Sequence, residues 1–475
     1  MPRERELTAQ INRHVKELDR RARAHRELEP YFAKVPQNQL PIPPAIVKAK
    51  LTNLYRDLMG MAQTPWGRVV VNAKLDRLEV TGVSSGNRQV DDAVFGVWQD
   101  NGMDLESKLG HSAALLDGRV HALVWPRDGM PEISLDDVTQ MVVEFEEGSR
   151  RHRAAASRRW RDDDGRDYVT LYRRDGIYKF RTKAPNAAGP KWERREVKGE
   201  TWPLRNPLKI VPAVEIGTNR RIKAGPWTHC GGEFEDVTGV IDRIHLLTFL
   251  GLVVATWMGF PLRGVIGDKI LQDDDGNDLP PFESRPDSVV QFESKDAKVF
   301  QLDAADRKNL SVYPEFNELA LATHTPRHYL PVEGGFSNIA EATIRAFESP
   351  MHAAVAATHK PFLSEGWEET LRLAGLMLDT PVQLPQRASL QWADHESRSL
   401  SERADAFVKL TNGDHGLPWQ AAAVLSLNMS QDDIRRYEAQ HAGTAIANLL
   451  RDARNAPGST PDEEDEDGGS GDPAS

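Results

Sequence analysis

The hydrophobic positions at the start of the chain form one narrow stripe. Between residues 3 and 29 acidic and basic side chains alternate, and the stripe consists of Leu7, Ile11, Val15 and Leu18. This spacing predicts a solvent-rich amphipathic helix that ends at Pro30. Further prolines up to Pro44 predict an extended linker, so residues 1–44 are interpreted as an N-terminal arm and linker. A second helix is predicted from about residue 45 to residue 62.

Residues 68–221 mix strand-like and helical patterns. The run RVVVNAKLDRLEVTGV at 68–83 has strand composition, whereas residues 90–98 and 105–116 have helical patterns. Further strands are predicted at 120–125, 141–145, 168–172 and 177–180, with hairpin turns at 163–165 and 175–176. This mixture predicts an α+β domain.

The most hydrophobic stretch runs from Ile244 to Leu262 and contains one potentially charged side chain, His245. Its length and composition are those of a transmembrane helix. Acidic residues at helical spacing precede it, Pro261 ends it, and no flanking basic cluster sets a topology. Three interpretations remain: a membrane span, a helix in an ordinary core, and a helix packed against copies of itself in a ring.

The remaining third of the chain has a largely helical pattern. Residues 264–300 are rich in turn formers and predict a small β-containing excursion, and 302–324 predict a helix. A glycine-bearing loop, PVEGGFSN, occupies 331–338. A long helical region follows at 339–378, where Pro350 and Pro361 should kink or break the helix. Three more helices are predicted at 397–410, 419–425 and 432–450.

Composition and charge narrow the possible function. The hydrophobic content of 39% and mean hydropathy of −0.53 are typical of a soluble globular protein, and Cys230 is the only cysteine, which excludes an intrachain disulfide. Seven of the net −11 charges lie in residues 456–475, which lack Lys and Arg, so the remainder carries only −4. A nearly balanced body argues against a protein whose main task is to grip phosphates.

Few residues suggest catalysis or metal binding. The acidic turns at 162–165 and 273–276 do not fit an EF-hand loop, because Trp160 or Leu271 would occupy the first ligand position. The pair His324 and His328 could serve as metal ligands or bases, but no orienting partner or nucleophile is evident. A basic cluster that could contact nucleic acid consists of Arg150, Arg151, Arg153, Arg158, Arg159 and Arg161. Because Asp162, Asp163 and Asp164 partly neutralise it, it is interpreted as a solvated loop. One alternative function remains open: a metal-dependent nucleic-acid-processing enzyme that uses the carboxylates around 273–278.

Several motifs resemble portal proteins of tailed bacteriophages, especially those that infect actinobacteria. The first is the helix at 238–258 with the following FPLRGVIG at 260–267. The second is HTPRHYL at 324–330 with GFSNIAEA at 335–342. The third is ADAFVKL at 404–410, followed by LPW and SQDDI. The motifs are individually short, and together their order covers most of the chain.

The resemblance implies an α+β portal fold with wing, stem helices, clip and α-helical crown, assembled as a ring of usually twelve subunits. The implied segments, in chain order, are 45–232 (α+β wing), 233–259 (stem helix 1), 260–302 (clip), 303–329 (stem helix 2), 330–338 (tunnel loop), 339–394 (long kinked wing helix and return), 395–455 (helical crown) and 456–475 (disordered acidic tail). In stem helix 1, His245, Thr248 and Thr256 are expected to meet neighbouring subunits or the channel.

The resemblance also implies the function and the partners. The ring would form the channel at one capsid vertex for packaging, retention and ejection of double-stranded DNA, without enzymatic activity, metal or cofactor. Its partners would be the terminase large subunit, a head-tail adaptor and a major capsid or scaffolding protein, and no membrane. The protein would be located in the virion after assembly in the host cytoplasm. The implied tunnel-loop residues are Gly334, Gly335, Phe336, Ser337 and Asn338, and possible DNA-phosphate contacts are Lys295, Lys298, Arg307 and Lys308. Glu333 stands in this loop where a basic residue would favour a DNA grip.

Overall fold

The computed structural model describes residues 4–33, 52–149, 151–185, 191–222, 225–259, 262–266, 298–302, 311–331, 340–396, 400–412 and 416–441. At 52–56, 257–259, 262–266 and 298–302 the description is of the backbone. The chain divides into two compact units, 1–399 and 400–475. Helices and strands mix in the first unit, which confirms the α+β class.

Among the described residues, five helices and one strand precede the main sheets. They are α1 (Glu4–Phe32), α2 (Thr52–Ala62), α3 (Trp66–Leu75), β1 (Val80–Ser84), α4 (Arg88–Asp100) and α5 (Met103–Asp117). Asn87 caps α4 because its side chain accepts a hydrogen bond from the backbone N–H of Gln89. Gly118 ends α5 with φ of 80°, and an added Cβ there would lie 2.7 Å from the backbone of Cys230. Glycine is therefore required on both conformational and steric grounds.

Two antiparallel sheets follow. A three-stranded sheet has the order β3-β2-β9 and consists of β2 (Arg119–Arg127), β3 (Met130–Asp136) and β9 (Ala213–Gly217). A five-stranded sheet has the order β4-β5-β6-β7-β8 and consists of β4 (Met141–Phe145), β5 (Arg153–Arg161), β6 (Asp167–Arg173), β7 (Ile177–Thr182) and β8 (Trp192–Arg194). The predicted strands at 120–125, 141–145, 168–172 and 177–180 are confirmed.

Helix α1 covers one face of the five-stranded sheet. The predicted stripe of Leu7, Ile11, Val15 and Leu18 is at most 7% exposed. The first three pack against Val169 and other apolar residues of the sheet. The amphipathic pattern therefore marks the buried face of this helix correctly.

The central region contains the apolar helix. A short 3-10 turn (Glu235–Val237) leads into α6 (Thr238–Gly259), followed by the antiparallel strands β10 (Leu262–Ile266) and β11 (Lys298–Leu302) and by α7 (Tyr313–Thr323). The pairing of β10 with β11 confirms the β-containing excursion. Of the helix predicted from residue 302 to residue 324, the structure describes Tyr313–Thr323 as α7, whereas Leu302 pairs with Leu262 at the end of this ladder and residues 303–310 lie outside the described residues.

A long helical segment completes the first unit. It consists of α8 (Glu341–Ala354), a π-helical turn (Val355–His359) and α9 (Lys360–Leu376), and β12 (Ser389–Trp392) then pairs with β1. Pro350 lies inside α8, and Pro361 lies in the first turn of α9, where a missing N–H is tolerated. The expected interruption thus takes the form of a π-turn between two helices.

The second unit is described over two segments. It contains α10 (Leu400–Thr411), a short α11 (Trp419–Ala422) that continues into a π-helical turn (Ala423–Leu427), and helical residues 431–441. The helix predicted at 397–410 is confirmed from residue 400, since residues 397–399 lie outside the described residues. The helix predicted at 419–425 is confirmed, and the third is confirmed as far as residue 441.

The prediction of a strand across 68–83 is wrong in its first half. Residues 66–75 form α3, and only Val80–Ser84 form a strand. Val70 and Val71 are fully buried in the largest apolar cluster together with Trp98 and Trp367. Burial on a helix surface therefore overrides the strand preference of the β-branched run.

Candidate functional site

The apolar helix α6 is buried unevenly along its length. Near its start Val240, Ile241 and Ile244 belong to the largest apolar cluster and are at most 6% exposed. One turn later Phe249 packs in a smaller cluster with residues of α2, including Leu58. From residue 250 to residue 256 only Gly251 is buried. The first half is therefore a core helix, whereas the second half lacks full cover within its own chain.

Polar contacts hold the buried half of α6 to three other elements. The Tyr31 hydroxyl of α1 donates to Asp242 at 3.0 Å. Arg243 donates from Nε to Glu315 at 2.7 Å and from an Nη atom to Glu318 at 2.5 Å, both on α7. His245 Nε2 lies 2.9 Å from the carbonyl oxygen of Thr64. Because the partners lie on α1, on α7 and in the turn before α3, these contacts hold α6 in place along its axis.

The expectation that His245 marks a contact with neighbours or the channel is wrong. Its side chain is 95% buried by its own chain, as the relative exposure is 5%, and burial lowers its pKa. The hydroxyls of Thr248 and Thr256 donate to carbonyl oxygens of the same helix, at 2.8 Å to Ile244 and 2.9 Å to Leu252. Such bonds satisfy a threonine in a helix without any partner.

A buried charge cluster lies where the chain enters α6. Glu233 is 7% exposed, and its carboxylate lies 3.2 Å from Lys74 Nζ and 3.4 Å from His359 Nε2, while Asn219 donates to it at 2.7 Å. Burial alone would raise the pKa of Glu233, but the contacts with His359, Lys74 and Asn219 outweigh burial and hold the pKa at about 2. The cluster joins α3 and the π-turn to the start of α6. No local sequence signal reveals it, because its members are far apart in the chain.

The second half of α6 presents apolar side chains that are only partly covered. Leu247 and Val254, seven residues apart and hence on one helix face, are half-buried, and neither belongs to an apolar cluster of the described residues. Met61 at the end of α2 is 69% exposed, and Leu321 on α7 is 65% exposed. These four residues, grouped because they are exposed or partly exposed on α6 and on the two helices that pack against it, are called the stem patch below. Sequence analysis identified the apolar run but not which residues of it remain uncovered.

By length and composition α6 could cross a membrane, as could the core helix of a soluble protein. Of the apolar window within Glu235–Thr256, 28% is buried in this chain. Among the described residues no other helix meets the same criterion.

Most of the implied DNA-contact residues lie outside the described residues. These are Gly334, Gly335, Phe336, Ser337, Asn338, Lys295, Arg307 and Lys308. Lys298 is described by its backbone alone, as the first residue of β11, opposite Ile266. The carboxylates at 273–278, on which the alternative of a metal-dependent enzyme depends, also lie outside the described residues. The implied sites and that alternative therefore stay predictions.

The histidines before the glycine loop do not come together as a metal site. His324 ends α7 in the left-handed conformation, with φ of 52°. His328 Nε2 lies 3.4 Å from Glu348, which also accepts from Arg77 and Tyr329 at 3.3 Å. In the part of the chain that the structure describes, no group of three His, Cys, Asp or Glu side chains is arranged to hold a metal ion.

The interpretation of the arginines at 150–161 as a solvated loop is wrong. Residues 153–161 form β5, and several of its arginines are paired with acids from other elements. Arg153 pairs with Glu369 at 2.7 Å and Arg158 with Asp136 at 2.9 Å. Successive side chains of a strand point to opposite faces of the sheet, so arginines at different positions of β5 can pair with acids on different sides.

Comparison with known proteins gives two curated relatives. The chain is 26% identical over 416 residues to the Portal protein of Mycobacterium phage D29, covering 82% of this chain and 81% of that protein. It is 25% identical over 415 residues to the Portal protein of Mycobacterium phage L5, with the same coverage. No protein-family model matches the chain.

Solved structures give matches of low similarity. A chain from the neck of a native GTA particle, computed with C12 symmetry, matches 81% of this chain at 13% identity and a TM-score of 0.41. A chain from the neck of an empty GTA particle, computed with C6 symmetry, matches 80% of this chain at 13% identity and a TM-score of 0.44. In each case 93% of the other chain is covered.

Proposed function

We propose that this chain, whose resemblance to tailed-bacteriophage portal proteins the two mycobacteriophage relatives support, is the subunit of a ring-shaped portal in a virion. The alignment with both relatives spans about four fifths of each protein, 82% of this chain and 81% of the relative. The function is thus proposed for the chain as a whole rather than for one domain.

The stem patch supports assembly from copies of the same chain. In a ring, α6 of one subunit lies beside elements of the next subunit, so Leu247, Val254, Met61 and Leu321 can be covered without a membrane. Covering apolar surface contributes about 25 cal/mol per Å², before the entropy of association is subtracted. The polar contacts of Arg243 and His245 fix α6 within its own subunit. The partly covered face with Leu247 and Val254 therefore has one fixed orientation toward the next subunit.

The same proposal extends to the channel and to the partners. The segments 233–259 and 303–329 would be the stem helices, 260–302 the clip and 330–338 the tunnel loop past which double-stranded DNA moves. The clip would meet the terminase large subunit and then the head-tail adaptor, and the crown at 395–455 would lie toward the capsid interior. The ring would contain twelve subunits and would itself have no enzymatic activity.

The first experiment measures the assembly state. The purified full-length chain should form rings, visible as a discrete mass of many subunits and as rotational symmetry in projection images. Some rings form only with capsid or scaffolding protein, so the same measurement is made with these proteins present. A chain that remains monomeric in both conditions would overturn the proposal.

A variant of the stem patch tests which surface assembles. Leu247→Lys with Val254→Lys places two charges on the uncovered face, where burial of an unpaired charge is unfavourable. We expect rings to be lost while the fold of the subunit, followed by circular dichroism, is kept. Leu105→Lys on α5 is the matched control, since Leu105 is 65% exposed on another helix. Intact rings in the double variant would show that α6 does not form the interface.

A further inference from the structure

A cleft in the first unit lies between the end of the five-stranded sheet and α9. Its volume is about 780 Å³, which is within the range of about 300–1,000 Å³ that is typical of ligand sites. One wall is formed by the start of β5, by the turn between β6 and β7 and by the segment that precedes β9. The opposite wall is the charged face of α9. No function discussed above uses this cleft.

Positive charge exceeds negative charge along the cleft. Its cationic side chains are Arg151, Arg153, Arg174, Lys209, Arg220 and Arg372. Of its four glutamates, Glu215 is fully buried behind the wall and already pairs with Arg119 at 3.0 Å. Burial raises the pKa of Glu368 from its ordinary acidic range, and its carboxylate accepts a hydrogen bond from the backbone N–H of Leu390 at 3.1 Å. Glu365, Glu368 and Glu369 therefore face the six cations, and outside the lining Glu146 pairs with Arg174 at 3.0 Å. Glu369 also pairs with Arg372. A positive excess remains, and a cleft with an excess of one sign concentrates ions of the opposite sign.

Ion pairs between the two walls leave arginine donors unused. Arg153 donates from Nη2 to Glu369 at 2.7 Å, and Arg220 donates from Nη1 to Glu365 at 2.8 Å. Arg153 is only 8% exposed, and its Nε has no acceptor among the described residues. A guanidinium has five N–H donors in a rigid fork that matches phosphate oxygens. Because Glu365 is 50% exposed, an incoming anion can take its place beside Arg220.

A strained turn holds one cation at the edge of the cleft. Lys209 has φ of 55°, in the left-handed region that glycine or asparagine adopts at lower cost. The turn is fixed by Asn206, which is 5% exposed and donates to the carbonyl oxygens of Arg173 and Ile210, both at 2.8 Å. Backbone strain that the surroundings maintain is concentrated at functional sites. The left-handed conformation of Lys209 is thus one observation that favours a functional role for this cation.

We propose that this cleft binds a ligand with two or more phosphate groups. Its cations come from five separate segments of the chain, 151–153, 174, 209, 220 and 372, so a ligand with a single anionic group could reach only some of them. A row of phosphates places several anionic oxygens along the cleft, and each of them can bind a different guanidinium group. The ligand is either a free oligophosphate or the backbone of a nucleic acid, which share this chemistry.

Binding is measured by isothermal titration calorimetry on the full-length chain at low salt, with tripolyphosphate and with a short DNA duplex as separate probes. The test variant combines Lys209→Gly with Arg151→Gln. Glycine removes the charge and relieves the left-handed strain, so the fold should be kept. We expect the affinity for the bound probe to fall about five-fold for each cation removed, as loss of about 1 kcal/mol per exposed pair implies.

The control and the probes decide between outcomes. Lys108→Ala, which removes an exposed lysine on α5, should leave the affinity unchanged. Binding of tripolyphosphate alone assigns a free oligophosphate, whereas DNA binding whose salt slope falls by about one per removed cation assigns the nucleic-acid backbone. Absence of binding to both probes, or binding that the double variant does not change, overturns the proposal. Equally tight binding of an oligo-glutamate peptide also overturns it and assigns the cleft to an acidic protein segment.

This inference does not depend on the proposed ring. The cleft lies within one unit of one chain, and the titration can be carried out on whichever assembly state the protein adopts. A ring without phosphate binding would leave the portal proposal intact, and a monomer that binds phosphate would leave the cleft proposal intact.

Discussion

Replacement of Glu233 by glutamine tests whether the buried charge cluster fixes the start of α6. Glu233 and Lys74 are 7% and 1% exposed, and their charged atoms are 3.2 Å apart. His359 and Asn219 complete the contacts of the carboxylate. Glutamine keeps the shape of the side chain and removes the charge. The substitution therefore leaves the Lys74 ammonium buried without its partner.

The expected magnitude follows from the pKa of the carboxylate. A glutamate with a pKa of about 4.5 when unfolded and about 2 when folded stabilises the folded state by about 3 kcal/mol at neutral pH. Breaking one side of a buried ion pair costs about 3–5 kcal/mol in other proteins, so the two arguments agree. Burial lowers the pKa of Lys74 despite its partner, so the lysine itself reduces stability. We expect Glu233→Gln to lower the free energy of unfolding by about 3 kcal/mol.

The assay is urea unfolding followed by tryptophan fluorescence, because Trp98 and Trp367 are fully buried in the same unit. Lys74→Met, which keeps the apolar stem and removes the charge, completes a double-mutant cycle. The double variant should be more stable than Glu233→Gln alone by at least about 1 kcal/mol, since no charge then remains unpaired. A loss below about 0.5 kcal/mol in Glu233→Gln, or strictly additive effects, would refute the argument.

The pH dependence provides a second check on the same reasoning. The pKa of Glu233 is depressed in the folded state, so its contribution is complete above pH 4.5 and declines as the pH falls toward 2. The difference in stability between wild type and Glu233→Gln should therefore be constant from about pH 7 to pH 5 and should shrink below that. A difference that grows with acidification would show that another group carries the effect.

Three further predictions concern residues outside this cluster. Gly366→Ala should destabilise by about 1–3 kcal/mol in urea unfolding, because a Cβ would lie 2.7 Å from Ile216, whereas Gly96→Ala, with open space around it, should stabilise by about 1 kcal/mol. Burial lowers the pKa of His111 to about 4, so the protein should lose about 2 kcal/mol between pH 7 and pH 5 that His111→Gln does not lose. Asn206→Ala should cost about 1–3 kcal/mol, since two part-buried carbonyl oxygens lose their donor, and an unchanged unfolding midpoint would contradict this.

Local patterns predicted much of the fold correctly. The helical periods of 90–98 and 105–116 match α4 and α5, and the short apolar runs of the five-stranded sheet match its strands. The failure at 68–83 has a clear cause: Val70 and Val71 favour a strand by composition, but both are buried as part of a helix. Sequence alone does not weigh tertiary burial against local propensity.

The candidate site was less predictable than the fold. Glu233, Lys74 and His359 meet only in three dimensions, and no spacing in the chain connects them. The face of the long helix that carries His359 depends on the π-turn, which a regular helical period does not predict. Family motifs supplied the expectation of a channel, but the residues that would line it lie outside the described ones.

The apolar helix shows why burial is more informative than composition. By composition the whole run is hydrophobic, which is compatible with a membrane span, a core helix or a helix at a subunit interface. In the structure its first half is covered by its own chain, and Arg243 there pairs with Glu315 and Glu318 on the adjacent α7. A lipid-facing bundle would place these three charged side chains beside hydrocarbon at high cost. The proposed ring accounts for both halves: a neighbouring subunit would cover the apolar second half, while the charges of the first half stay paired within their own chain.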